Sequence, residues 1–399
     1  MNGGYVIPAG RTSVDKRTLF AEVRKRGPIS IKDLSIDFDV SVTTISRLLH
    51  ELMEEGLIKR ETHGESKGGR KPALFSVDGS HIVAYGVSIS RDRLEMILMN
   101  LTGEIIREID IWYDDGTDAE QVIEAVTSFV ASPIDQSLMP IGVGISTFGP
   151  LDKDNGIILA PRHANIRAWK NVPICQLIAR DTGMRVVLEN HSRAMALGEQ
   201  WFGVGRGSAS VAHIHADYGI GASTTSPSES SNDSLDSTGV IGNMIIDFRA
   251  ALGTDSEVTG TLEDYASVEA IIREVRRGLQ AGRTSTLQGA PPDKPLDFRD
   301  IAKACRSRDP LVTEVVGRSA EIFGIGLANY LSIARSEIVV LGGETIESLP
   351  GFFETAVATA GKLLARDQIS VTRFQKASLS GRINCVGAAT RMFEISLQE

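Results

Sequence analysis

The chain has 399 residues, 42% hydrophobic and 23% charged, with three widely separated cysteines, Cys175, Cys305 and Cys385. That length supports two or three well-buried domains, and the composition excludes a disordered chain. No apolar run could span a bilayer, residues 1–11 lack an apolar signal core, and the cysteines suit neither a disulfide framework nor a Cys-x-x-Cys metal site, so a cytoplasmic location is expected. A net charge of −9 alone argues against binding nucleic acid, but it is unevenly spread. Residues 1–76 carry 13 Lys and Arg against 10 Asp and Glu, which leaves −12 for the remainder. A basic head on an acidic body suits a protein whose head alone meets phosphate.

After an expected flexible tail over 1–12, the spacing of Leu19, Phe20 and Val23 predicts a helix over 16–26 that stops at Gly27-Pro28. Ser30 and Asp33 read as a capping box opening a short helix toward Phe38. Ser41 is placed to cap a third helix whose apolar face is Ile45, Leu48, Leu49, Leu52 and Met53, ended by Gly56. Its other face offers Thr43, Thr44, Ser46 and Arg47, groups able to read base edges and phosphates from a helix start in the major groove. Two strands follow, over 57–62 and 73–77. Between them lies a glycine-rich cationic tip with Lys67, Gly69, Arg70 and Lys71, suited to a DNA groove. Periodicity alone leaves a plain packing module as open as a DNA-binding one.

From residue 81 the pattern becomes α/β. Strands are expected over 82–90, 93–101 and 104–112 with a Thr102-Gly103 turn, then a helix over 119–131 and strands over 140–147 and 185–189. A second set comprises strands over 210–217, 244–247 and 338–341, with helices within 263–281 and 310–335. Element order suggests a ribonuclease-H-like lobe and its counterpart. The expected division is a head over 13–78, a first lobe over 79–190 completed by a C-terminal helix over 384–397, and a second lobe over 191–383 with a dimerisation surface.

The strings Arg26-Gly27-Pro28-Ile29-Ser30, Val42-Thr43-Thr44-Ile45-Ser46-Arg47 and Gly68-Gly69-Arg70-Lys71-Pro72 resemble the head of regulators of the ROK family (repressors, open reading frames, sugar kinases). The body resembles the ROK domain from about residue 81 onward. The likeness is carried by Gly144-Ile145-Ser146-Thr147-Phe148-Gly149-Pro150, Val187-Leu188-Glu189-Asn190, Gly219-Ile220-Gly221-Ala222, Leu262-Glu263-Asp264-Tyr265-Ala266-Ser267 and Val340-Leu341-Gly342-Gly343. The resemblance implies a winged helix-turn-helix (α+β) head on an actin-like, sugar-kinase (ASKHA) two-lobed body, with sugar and ATP phosphates between the lobes.

It also marks departures. Where ROK kinases carry a general-base aspartate after Glu-Asn, this chain has His191. The first phosphate loop reads Ser88-Ile89-Ser90-Arg91-Asp92, without glycines, and the second reads Asp217-Tyr218 before Gly219, so carboxylates stand where anionic oxygens would sit. The family's sugar-binding glutamate aligns with Val240. Its zinc histidine and three cysteines align with Asn243, Thr254, Ser256 and Thr261, none a good zinc ligand, so no zinc and no other cofactor is expected. Residues 224–238 read as a polar surface loop. Asn190 and Glu263 are retained, as sugar contacts or as helix caps.

The expectation is a non-enzymatic DNA-binding regulator, a repressor of carbohydrate-related genes. It would act as a homodimer or tetramer on a double-stranded operator, without membrane association. A sugar-derived effector would meet Asn190, His191, Arg193, Asn243 and Glu263. The alternatives are an active kinase with a DNA-binding head, and a ROK scaffold answering to a protein partner.

Overall fold

The computed structural model describes residues 14–61, 73–91, 93–113, 117–159, 169–225, 241–253, 258–288, 296–364, 372–379 and 381–397. It divides into two compact units, Met1–Glu189 with Ala388–Glu399, and Asn190–Gly387. Among the described residues no helix is long and apolar enough to cross a membrane.

In the head, α1 (Lys16–Arg26), β1 (Ile29–Ser30), α2 (Ile31–Phe38), α3 (Val42–Glu54), β2 (Ile58–Glu61) and β3 (Leu74–Val77) follow in order, and the strands form a sheet β1-β3-β2. Leu19, Phe20, Val23, Leu34, Ile45, Leu49 and Leu52 are all but fully buried, so the spacing read in the sequence becomes a small closed core. Only half of the expected capping box forms at Ser30. Its hydroxyl accepts from Asp33 N–H at 3.2 Å and donates to the Asp33 carboxylate at 2.7 Å, leaving the Asp33 side chain engaged with the hydroxyl. Gly27 (φ 76°) and Gly56 (φ 70°) adopt left-handed backbone, which glycine enters without a Cβ penalty.

The rest of the first unit holds β4 (Ile82–Ile89), β5 (Arg93–Asn100), β6 (Ile105–Trp112), α4 (Ala119–Ala131), β7 (Met139–Thr147), β8 (Leu151–Asp152), β9 (Ile157–Ile158), α5 (Ile174–Thr182) and β10 (Val186–Asn190). A five-stranded sheet runs β10-β7-β4-β5-β6, with β4 parallel to β7 and antiparallel to β5. Strands β4 and β5 are buried almost throughout, consistent with their unbroken apolar sequences, and Val122, Val126 and Phe129 of α4 pack on that layer. Asn100 fixes the turn at Thr102-Gly103, its side-chain oxygen accepting from three groups of Thr102 and Glu104.

The second unit contains α6 (His191–Trp201), β11 (Val211–Ala216), β12 (Ile220–Thr225), a 3-10 turn (Ile241–Asn243), α7 (Phe248–Leu252), α8 (Glu263–Ala266), α9 (Val268–Gln280), α10 (Phe298–Arg306) and α11 (Pro310–Ile333). Then come β13 (Ile338–Gly342), α12 (Glu344–Ser348), α13 (Phe352–Leu363), β14 (Arg373–Lys376) and α14 (Ile383–Ser396). Its sheet runs β12-β11-β13-β14. The strand expected over 244–247 is absent: one isolated bridge, Ile245 with Thr261, stands there between the 3-10 turn and α7. Apolar 244–246 was read as strand, but Asp247 caps α7 through Arg249 and Ala250 N–H and ends any extension.

The last helix makes two glycine-dependent approaches. A Cβ at Gly144 would lie 1.8 Å from Ala388 O within the first unit, and one at Gly387 1.8 Å from Ala194 O within the second. Arg391 reaches buried Glu189 at 3.3 Å, which ties α14 to β10.

Candidate nucleic-acid interface and effector site

Helix α3 is anchored by its apolar face and presents the other to solvent. Ser41 caps it, accepting from Thr44 N–H at 3.2 Å, and the Ser41 hydroxyl lies 2.9 Å from both Thr43 and Thr44 hydroxyls. Ser41 and Thr43 are exposed, while Thr44 and Ser46 are half-buried. The Arg47 side chain is 64% exposed and paired with Glu51 one turn on, a surface contact that a base edge or phosphate could replace at little cost. Two residues missed in the sequence share this face. His50 is exposed at Thr43 plus seven, and Val42, 54% exposed, is an apolar group of the kind that meets a thymine methyl. Extending the helical period from Thr43 would have found His50. Lys59 and Arg60 on β2 are exposed as well. Strand pairing sets Glu61 opposite Leu74, so the cationic segment joins two paired strands. Lys67, Gly69, Arg70 and Lys71 themselves lie outside the described residues.

In the second unit the effector candidates fall along one run of contacts. Asn190 caps α6, accepting from Ser192 N–H at 2.9 Å, so its amide oxygen has a structural duty. His191 opens the helix at 7% exposure, and Arg193 is half-buried. A Cβ on Gly221 would lie 2.5 Å from Ser192 Oγ and 2.4 Å from His215 Cε1, which brings the α6 start against the β11–β12 turn. Glu263 does not cap its own helix, correcting one sequence reading. Its carboxylate accepts from Ile220 N–H at 3.1 Å and fixes that turn, and Gly242 comes so close that a Cβ there would lie 2.6 Å from Glu263 Oε2. Asn243, beside Gly242, is exposed.

The phosphate-loop position is Asp217. Its carboxylate accepts from Glu344 N–H, at the turn between β13 and α12, while its carbonyl accepts from Val268 N–H at 2.9 Å. Burial raises the Asp217 pKa against the lowering effect of that hydrogen bond, and Glu347 is raised by burial and by Asp217. The chain thus sets its own anion on the Glu344 amide. In the first unit, Ser90 N–H donates to Arg93 O at 3.0 Å and closes the β4–β5 turn; Asp92 lies outside the described residues.

Two histidines on β11 escaped the sequence reading. His213 and His215 point to one face with rings 6.5 Å apart. Both His213 nitrogens and His215 Nδ1 are buried without a hydrogen-bond partner. Burial lowers their pKa values to about 3 and about 4, the former lowered further by His215. Alternation along a strand could have paired them, but nothing in the sequence distinguishes a buried face bearing imidazoles.

The zinc position does not fit a metal. Thr261 Oγ1 accepts from Asp264 N–H at 3.3 Å while the Asp264 carboxylate accepts from Thr261 N–H at 3.1 Å, a reciprocal helix cap. With a hydroxyl so engaged and an amide at Asn243, this donor set offers neither thiolate nor imidazole. Val240, Thr254 and Ser256 lie outside the described residues.

Comparison with known proteins places both parts. The MarR family matches residues 19–67, and the ROK family matches residues 84–393. The chain is 26% identical over 321 residues to the xylose repressor of Caldicellulosiruptor bescii, covering 79% of each. It is 28% identical over 266 residues to the glucokinase of Thermotoga maritima, covering 65% of this chain and 80% of the enzyme. The crystal structure of a ROK family transcriptional regulator, a homologue of the E. coli MLC protein, superposes with a TM-score of 0.77 at 22% identity, covering 96% of each chain. A winged-helix head followed by a ROK-type body over 310 matched positions leaves one assignment: this chain belongs to the ROK family.

Proposed function

We propose that this chain is a sequence-specific DNA-binding repressor of carbohydrate-related genes, whose ROK body is catalytically inactive and serves effector sensing and self-association. The observation that carries the reading is α3: a helix locked into the head by Ile45, Leu48, Leu49 and Leu52, with Thr43, Arg47 and His50 facing solvent. The xylose repressor of C. bescii matches over most of its length, and that supports a sugar-related regulon. One recognition helix reads too few bases for genomic selectivity, so a dimer on a palindromic site follows. Asn190, His191, Arg193, Asn243 and Glu263 are the residues we assign to a sugar-derived effector.

Inactivity rests on charge and geometry. Phosphoryl transfer needs donors and cations around the phosphates. Here Asp217 occupies the Glu344 N–H, and His191 stands where the general base would be. Sequencing genomic fragments retained by the full chain, followed by gel shifts, tests the DNA-binding half. Retention without sequence preference would defeat it. The kinase reading keeps one support, the glucokinase likeness. ATP-dependent phosphorylation of any common hexose above background would reinstate that reading; none is expected, even for His191→Asp.

A further inference from the structure

We propose that a pocket on the second lobe, between the β11–β12 turn and α9, binds a phosphate group borne on a ring. The pocket is lined by Tyr218, Glu269, Ile272, Arg273, Arg276 and Leu296, and encloses about 430 Å³, within the range of small-molecule sites. Helix α9 supplies four of the six at i, i+3, i+4 and i+7, so one helical stripe forms the wall. Two guanidiniums on that stripe stand in a body whose net charge is strongly negative, and they outnumber the Glu269 carboxylate. Arg273 is held in place: its guanidinium donates to the Asp264 carbonyl. Its Nε is nonetheless buried without a hydrogen bond, 3.5 Å from Glu274 Oε1 but not bonded to it. Orphaned buried N–H groups are rare, and a guanidinium fork matches phosphate oxygens in pairs. Arg276, one turn on, is exposed and able to close on the same anion.

The remaining lining fits the rest of such a ligand. Tyr218 is 38% exposed, an aromatic face on which a ring can stack, above half-buried Ile272 and Leu296. Glu269 offers acceptors for ring hydroxyls. Because the pocket lies wholly on the second lobe, the proposal stands apart from the repressor reading and from the residues around α6.

Calorimetry on the full chain provides the test, with glucose 6-phosphate, ribose 5-phosphate, AMP, glucose and inorganic phosphate as probes. Binding is expected for phosphorylated rings and absent for glucose; the sugar phosphates against AMP distinguish a sugar from a nucleoside source. Arg276→Gln, at an exposed position, should weaken that binding at least tenfold without changing the circular dichroism spectrum, and Arg273→Gln should do the same or more. Silence from all three phosphorylated rings, inorganic phosphate binding as tightly as they do, or full affinity in Arg276→Gln would overturn the proposal. Gel shifts without ligand keep the two readings separate, since loss of operator binding by the parent chain would defeat the repressor reading alone.

Discussion

In the head, Ser41, Thr43 and Arg47 hold polar atoms at the surface, where a partner can reach them. In the second lobe the polar groups at family-site positions are turned on the chain itself. Asp217 bonds the Glu344 amide, Glu263 the Ile220 amide, Asn190 the Ser192 amide and Thr261 the Asp264 amide. A side chain bonded to a neighbouring backbone is stabilising where it stands and is costly to withdraw. The head therefore keeps its chemistry for an external ligand, while the old catalytic positions of the body have become fastenings. Substitutions should then separate cleanly: head changes move operator affinity, body changes move stability.

Acid should strain the body most. His213 and His215 fold as neutral imidazoles, with pKa values near 3 and 4 against 6.5 when unfolded. Folded values below the unfolded one mean that the unfolded chain takes up protons first. Stability is therefore full above about pH 6.5 and falls as pH drops toward 4 and 3, at up to about 1.4 kcal/mol per pH unit for each ring. Asp217 and Glu347, raised in the fold, work in the opposite direction, favouring the folded state on the acid side. Urea titrations between pH 7 and 4.5 should show the decline, and His213→Leu should flatten it, since that ring has no hydrogen bonds to lose. An unchanged slope in His213→Leu would remove the pair from the account.

Glu199 comes next. It is fully buried and accepts from Val204 N–H, Ser378 N–H and Oγ, and Leu379 N–H at 2.7–3.0 Å. Glu199→Ala orphans three amides at once and should cost about 3–5 kcal/mol, read by denaturant midpoint. Operator affinity measured well below the melting temperature should survive.

On the head, Arg47→Ala should cost about 1–3 kcal/mol of operator binding and relax specificity at one base pair. Thermal stability should barely change, because the Arg47–Glu51 pair is exposed. Arg70→Ala should weaken all sequences alike and lower the salt slope by about one. No loss of operator binding in Arg47→Ala would shift recognition to His50 and β2.

The contrast between the two regions also governs what could be read in advance. Helix periods, the Ser41 cap and the order of strands were legible because they depend on neighbours three or four positions away. So was the chemical loss at Asp217 and Thr261, once family strings fixed the frame. What Asp217 does instead was not legible, since Glu344 is 127 positions downstream and the bond forms only when β11 and β13 lie side by side. The bonds from Ile220 to Glu263 and from Ser378 to Glu199 have the same character. Residues 244–246 misled for the complementary reason: an apolar triplet favours a strand, and the cap at Asp247 decides against it.

The smallest effect sharpens the comparison at the zinc position. Thr261→Ala removes the hydroxyl that accepts from Asp264 N–H, but that contact is long at 3.3 Å. The Asp264 carboxylate also keeps both bonds from Thr259, at 2.7 and 2.9 Å. The loss should therefore fall at the low end for a helix cap, about 0.5–1 kcal/mol, lowering the melting temperature by roughly 1–4 °C. A metal ligand would behave differently, because removing one of four donors forfeits the metal and most of its folding energy. Melting curves of the parent chain with and without EDTA, beside those of Thr261→Ala, separate the two roles. The expected result is no response to the chelator and a small shift in the variant. A drop of many degrees with EDTA that Thr261→Ala reproduces would make this loop a metal site and not a cap.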